Sequence, residues 1–275
     1  MLHDARGELE YYLELSGHDR HLLKQTSCLK DRHVGRRCFV LGAGGSVNSQ
    51  NLKKLQGEFV ISVSNTFVHP DIAVIRPRYH VTPAILQGHG GIYELDSFIS
   101  WLHEMEAATD YAEMIFHVGD RSWIESNGLF KDRQIHWVRY TSVSDYTSSP
   151  IDLGKVPYIR SVSEMAITLA VYLGFDQIYL LGIDHDWFNG ALVYFYDHKT
   201  QHAVRPDIKN FDWVDSEFQM RRHAEIFKKY KYLQSIKHNI YNANADPKHY
   251  LDVFPKVDYE ALFTDNVKKT LPQEP

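Results

Sequence analysis

Apolar and polar positions along this chain fall into short blocks with two different periods. Residues 37–41, Arg-Cys-Phe-Val-Leu, carry no charge after the first position and are rich in β-prone side chains, which predicts a buried strand. Residues 58–64 and 78–82 repeat the pattern, the former running up to Asn65 and the latter stopped by Pro83. Residues 114–118 and 135–140 predict two further strands. In contrast, segment 93–109 places Leu95, Phe98, Ile99, Leu102 and Met105 on one face of a helix. Residues 161–173 form an apolar-rich helical block with Ser161 or Ser163 as N-cap and Gly174 at the position after the C-cap. A strand at 177–183 follows and terminates in Asp184. A long polar helix at 217–234, a closing strand at 239–242 and a short helix at 259–263 complete the series, while 8–30 read as two short helices broken at Gly17.

Helix and strand alternate, so the predicted fold is α/β: a Rossmann-like, doubly wound, mostly parallel sheet. The expected organisation is an N-terminal helical appendage (1–35), one Rossmann-like domain (36–265) with an inserted lid at about 187–216, and a tail (266–275). In such sheets ligands lie outside the carboxyl ends of the strands, where Asn65, Thr82 and Asp184 fall. The first strand stops in Gly42-Ala43-Gly44-Gly45-Ser46, a turn that can bring main-chain N–H groups close to a ligand. If the turn opens into a helix around 49–55, it forms a cradle for a nucleotide phosphate. The third glycine of the dinucleotide fingerprint is replaced by Val47, which weighs against NAD; a ligand-free βα turn is the alternative reading.

Charge narrows the partners. The net charge is −5 and the pI about 6.3, which give no global basic field, and no local basic patch stands out in the sequence to draw nucleic acid. Two cysteines, Cys28 and Cys38, cannot build a disulfide framework, so a reducing cytoplasm is the expected setting. No run approaches the length of a membrane span, and the acidic N-terminal stretch lacks the form of a signal peptide; any membrane contact is expected to be peripheral, at its inner face.

Several constellations carry potential chemistry. Asp184, His185 and Asp186 converge at one strand end and could hold Mg²⁺, position a hydroxyl or ribose, or cap a turn. His198 and His202 have the spacing of a zinc pair on a helix, but no thiolates accompany them. Alternation turns Tyr194 and Tyr196 to one face, where the phenols could stack on a base, donate to a departing phosphate, or simply pack on the sheet. Asp215 and Glu217 precede the long helix, a placement that the helix dipole alone favours.

The order of these pieces resembles the bacterial lipooligosaccharide sialyltransferases and the related 6-hydroxymethylpterin diphosphokinase-like proteins. It rests on GAGGS (42–46), SVSN (62–65), the Thr-Pro at 82–83, the block SVSEMAITLAVYLGFDQIYLLGID (161–184), YFYD (194–197), PDIKN (206–210) and IYNAN (240–244). The resemblance implies a glycosyltransferase that moves a sugar from a nucleotide-activated donor, a CMP-sugar, to a glycan or lipid-linked acceptor without a metal. It further implies nucleotide contacts at Gly42, Ala43, Gly44, Gly45, Ser46, Asn65, Thr82, Ser161, Ser163, Asp184 and Asn242, with Tyr194 beside the leaving phosphate. The family's base histidine is replaced by Phe218, which leaves Asp215, Glu217 or His198 as substitute bases. The pterin branch implies instead a Mg²⁺-dependent diphosphate transfer from ATP at the Asp184 rim, and a non-catalytic nucleotide-binding protein is the third possibility. The oligomeric state is left open.

Overall fold

The computed structural model describes residues 15–85, 95–141, 151–185, 194–196, 216–245 and 251–264. Seven strands form one sheet: β1 (Arg37–Leu41), β2 (Phe59–Val63), β3 (Tyr79–Val81), β4 (Glu113–His117), β5 (Ile135–Val138), β6 (Gln177–Leu181) and β7 (Ile240–Asn242). Their order is β5-β4-β3-β2-β1-β6-β7, and every ladder is parallel. The chain winds outward from β1 to β5 on one side, then crosses back to place β6 and β7 on the other. This is the doubly wound, Rossmann-like architecture, and its switch point lies between β1 and β6.

Strands buried on both faces must alternate their side chains between two cores. In β1, Cys38 and Val40 join a core formed with α5 (Val162–Tyr172) and α6 (Ser216–Ile236), while Phe39 and Leu41 join a second with Val47, Leu52, Leu55, Tyr259 and Leu262. A third core sits where α3 (Leu95–Ala108) covers β4 and β5, built on Phe98, Trp101, Leu102 and Met105; the one-turn α2 (Ile72–Ile75) precedes α3 and the short α4 (Arg121–Ser126) follows β4. The helix read as polar, α6, has one apolar stripe, Ile226, Tyr230 and Leu233, at the i, i+4, i+7 spacing that a helix needs to dock.

The first described helix, α1 (Gly17–Gln25), starts at Gly17, where the Ser16 side chain accepts the Asp19 N–H as N-cap; the helix expected before it falls largely outside the described residues. Together with the 3₁₀ turn that follows, it contributes Leu23 and Leu29 to the cores and bonds the Thr26 hydroxyl to the Trp137 carbonyl of β5. The helix expected at 49–55 is replaced by two 3₁₀ turns, Gly45–Ser49 and Leu52–Leu55. Their apolar residues Val47, Leu52 and Leu55 are spaced at five and three, which pins each short turn onto the sheet but gives no continuous helical stripe.

Candidate functional site

Beyond their carboxyl ends β1 and β6 continue side by side. The Gly42 N–H donates to the Leu181 carbonyl at 2.7 Å and the Gly44 N–H to the Gly182 carbonyl at 2.8 Å. A methyl group on Gly42 would lie 2.3 Å from the Gly182 oxygen, and one on Gly182, whose φ is +60°, would lie 2.5 Å from the Gly42 oxygen. The two glycines allow a backbone approach that a side chain would block. Next along the chain, the Asp184 carboxylate accepts the Ser46 N–H at 3.0 Å and the Ser46 hydroxyl at 2.6 Å. Gly44 makes room for it, since a methyl there would sit 2.4 Å from Asp184 Oδ2.

The N–H groups of Gly42, Gly44 and Ser46 are therefore bonded to protein acceptors. The turn could offer an anion only other N–H groups, such as those of Ala43 and Gly45. No α-helix begins here, so the positive end of a helix dipole does not add to the turn.

A separate segment returns across the turn. The Phe195 N–H donates to the Ala43 carbonyl at 3.1 Å, and Tyr194 forms an antiparallel bridge with Gly44. Tyr194 and Tyr196 lie on one face as alternation predicts, their rings parallel to within 3° at a centroid distance of 5.0 Å. Phe195 points the other way, edge-on to His69 at 5.0 Å. The Tyr196 hydroxyl accepts the Asn65 side-chain N–H at 3.0 Å, and the Asn65 carbonyl accepts the Trp101 indole N–H at 2.7 Å.

The remaining expected residues lie along the same edge, and the side chains of Thr82, Ser161 and Asn242 are tied into the protein. Thr82 donates to the Ile115 carbonyl. Ser161 caps α5 in a reciprocal capping box with Glu164, and Ser163 supplies the capped N–H. Asn242 donates to the Leu251 carbonyl and accepts the Asn244 N–H, which shapes the turn after β7. Glu217 lies in the first turn of α6; Asp186, His198, His202 and Asp215 fall outside the described residues.

At the Asp184 rim the adjacent side chains diverge. His185 adopts a left-handed φ of +49°, which turns its ring away from the glycine turn toward α6, where Nε2 meets the Tyr230 hydroxyl at 2.7 Å. Burial, with His223 and Arg222 nearby, lowers its pKa to about 3. Among the described residues no group of three or more His, Cys, Asp or Glu is placed to hold a metal ion. Sequence reading passed over Trp101 and Tyr230: both are aromatic residues on apolar helix faces, and nothing in their spacing signals a polar partner far along the chain.

The fold and its rim define a class: a doubly wound α/β protein with a candidate site at the switch point, between a glycine turn and a tyrosine-bearing crossing segment. No protein-family model matches the chain, and no curated protein matches it. Among solved structures it is similar to the sialyltransferase CstII from Campylobacter jejuni, in complex with a substrate analogue, cytidine-5'-monophosphate. The identity is 13%, the TM-score 0.46, and the likeness covers 82% of this chain and 85% of that one.

Proposed function

We propose that the protein is a glycosyltransferase that takes a sugar from a CMP-activated donor at this switch point. The observation that carries the reading is the docking of Tyr194 and Tyr196 on the glycine turn through the Phe195 to Ala43 hydrogen bond. It brings the backbone of the tyrosine-bearing segment against the turn to which the sequence resemblance assigns the nucleotide, and this supports Tyr194 as the phenol donor. As the sugar leaves, charge builds on the phosphate, and a pre-placed O–H that bonds more strongly to that charge lowers the barrier. A positioned base would accept the acceptor hydroxyl's proton; Glu217 and Asp215, at or just before the start of α6, are the candidates, with His198 as the third.

The test has two parts. CMP should raise the melting temperature more than UDP, GDP or ATP, with or without Mg²⁺; stabilisation by ATP and Mg²⁺ alone would favour diphosphate transfer instead. With CMP-N-acetylneuraminate as donor, Tyr194→Phe should lower the kcat of CMP release by about 10²-fold, the usual cost of one lost transition-state donor, and leave CMP affinity within about twofold. Glu217→Gln should suppress transfer while CMP still binds. Stabilisation by CMP without any donor consumption would make the protein a nucleotide binder.

A further inference from the structure

Asn65 is 1% exposed, at the point where three elements meet: the end of β2, the middle of α3 and the crossing segment 194–196. Ser64, just before it, adopts a left-handed φ of +47°, a costly conformation for a non-glycine residue. The Thr66 hydroxyl donates back to the Val63 carbonyl and secures the turn from the other side. The Asn65 amide then bonds in two directions at once. Its carbonyl takes the indole N–H of Trp101, a group that can only donate, and this fixes the orientation of the amide. Its N–H therefore faces the Tyr196 hydroxyl and bonds to a lone pair, so the phenol's own proton points away from Asn65. Trp101 is fully buried and wedged edge-on against Phe67 and Phe98, so the indole is not free to turn.

The far side of Tyr196 carries the stacked ring of Tyr194. A continuous chain thus runs from α3 through β2 to the ring of Tyr194, whose backbone bridges Gly44 of the glycine turn. We propose that Trp101 and Asn65 are positioning residues of the site: acting through Tyr196, they hold the 194–196 segment on the glycine turn and set the place of the Tyr194 ring. The chemical role of Tyr194 rests on the transferase reading above; the positioning does not. An amide is the residue that suits the junction, because it presents an acceptor to the indole and a donor to the phenol without burying a charge.

The test starts with the ligand-free protein, by amide hydrogen exchange. Tyr196→Phe removes one hydroxyl and keeps its ring, and Trp101→Phe removes the indole N–H while leaving a smaller aromatic ring in the core, so both should fold. Each should speed exchange at Phe195, whose N–H is bonded to Ala43, by about five- to tenfold, the effect of one lost hydrogen bond. Val40 in β1 and Leu180 in β6 should be unchanged. Asn65→Leu should do more, and Tyr196→Ala, which also removes the stacked ring, more than Tyr196→Phe. Unchanged exchange at Phe195 in the two conservative variants, or a rise shared equally by Val40 and Leu180, would overturn the proposal and leave Asn65 as a core amide.

With CMP-N-acetylneuraminate, the conservative variants should lose about tenfold in kcat while CMP affinity stays within twofold. A loss of affinity with kcat intact would overturn positioning of Tyr194 and make Asn65 a ligand contact. If the wild-type chain neither binds CMP nor releases it from that donor, the transferase reading fails, and the exchange data alone decide the positioning.

Discussion

Gly42 and Gly182 face each other across the gap between β1 and β6, each with the other's carbonyl oxygen where its own side chain would be. Backbone at 2.3 Å cannot yield as a flexible side chain can, so Gly42→Ala must spread the two strand extensions. That should cost about 1–3 kcal/mol, read as a lower urea midpoint with little change in slope. Gly17, where a methyl would meet nothing within 4 Å and φ is not in the left-handed region, gives the control: alanine there should cost nothing. A glycine run announces itself in a sequence, but its reason does not. Here the glycines at 42 and 44 are accounted for by the Gly182 backbone and the Asp184 carboxylate, residues some 140 positions away along the chain.

Among the elements, α5 and α6 are joined by an ion pair that no water reaches. Glu164 and Lys229 have side chains 0% and 3% exposed, 2.9 Å apart. Burial pushes the Glu164 carboxyl above its ordinary range, against the opposing pull of Lys229 and the N–H groups of Arg160 and Ser161. Glu164→Gln keeps the capping contacts but takes the carboxylate from beside the buried lysine, so it should cost about 3–5 kcal/mol. Adding Lys229→Met should restore more than half of that loss, measured by urea unfolding of the single and double variants. A double variant no more stable than the single would show that the pair does not act as a unit. The capping box was readable from Ser161 and Glu164 three residues apart; the lysine partner was not, because α6 is docked against α5 only by the tertiary fold.

At the scale of the whole molecule, acid should undo the fold through histidines held neutral inside it. Burial lowers the pKa of His80 and His185 to about 3; burial, with Arg139 beside one and Arg32 beside the other, lowers His117 and His33 to about 4. An unfolded chain protonates histidine near pH 6.5, so the unfolded state binds more protons between there and pH 4. Stability is thus fully present above about pH 6.5 and is lost as pH falls, each histidine contributing about 1.4 kcal/mol per pH unit within that window. The melting temperature should hold level from pH 8 to 7 and drop steeply below pH 6. Glu113 adds a later step. Burial alone would raise its pKa, but hydrogen bonds from His136 and Arg32 bring it down to about 2, so its contribution disappears only below the ordinary carboxylate range. A melting temperature level down to pH 5 would show that these histidines are protonated in the fold.

What the sequence by itself determined is the strands, the longer helices and the fold class they make. Strand and helix periods are local, and runs such as Arg37–Leu41 and Gln177–Leu181 carry enough apolar side chains to be buried whatever their neighbours. What only the tertiary structure decided is how the polar groups at the strand ends are used. Asp184 bonds to Ser46, His185 turns to Tyr230, and Asn65 bridges Trp101 and Tyr196. Hydrogen bonds between residues this far apart depend on distance and angle to within a few tenths of an ångström. Such geometry is set by how the layers pack and leaves no periodic trace along the chain.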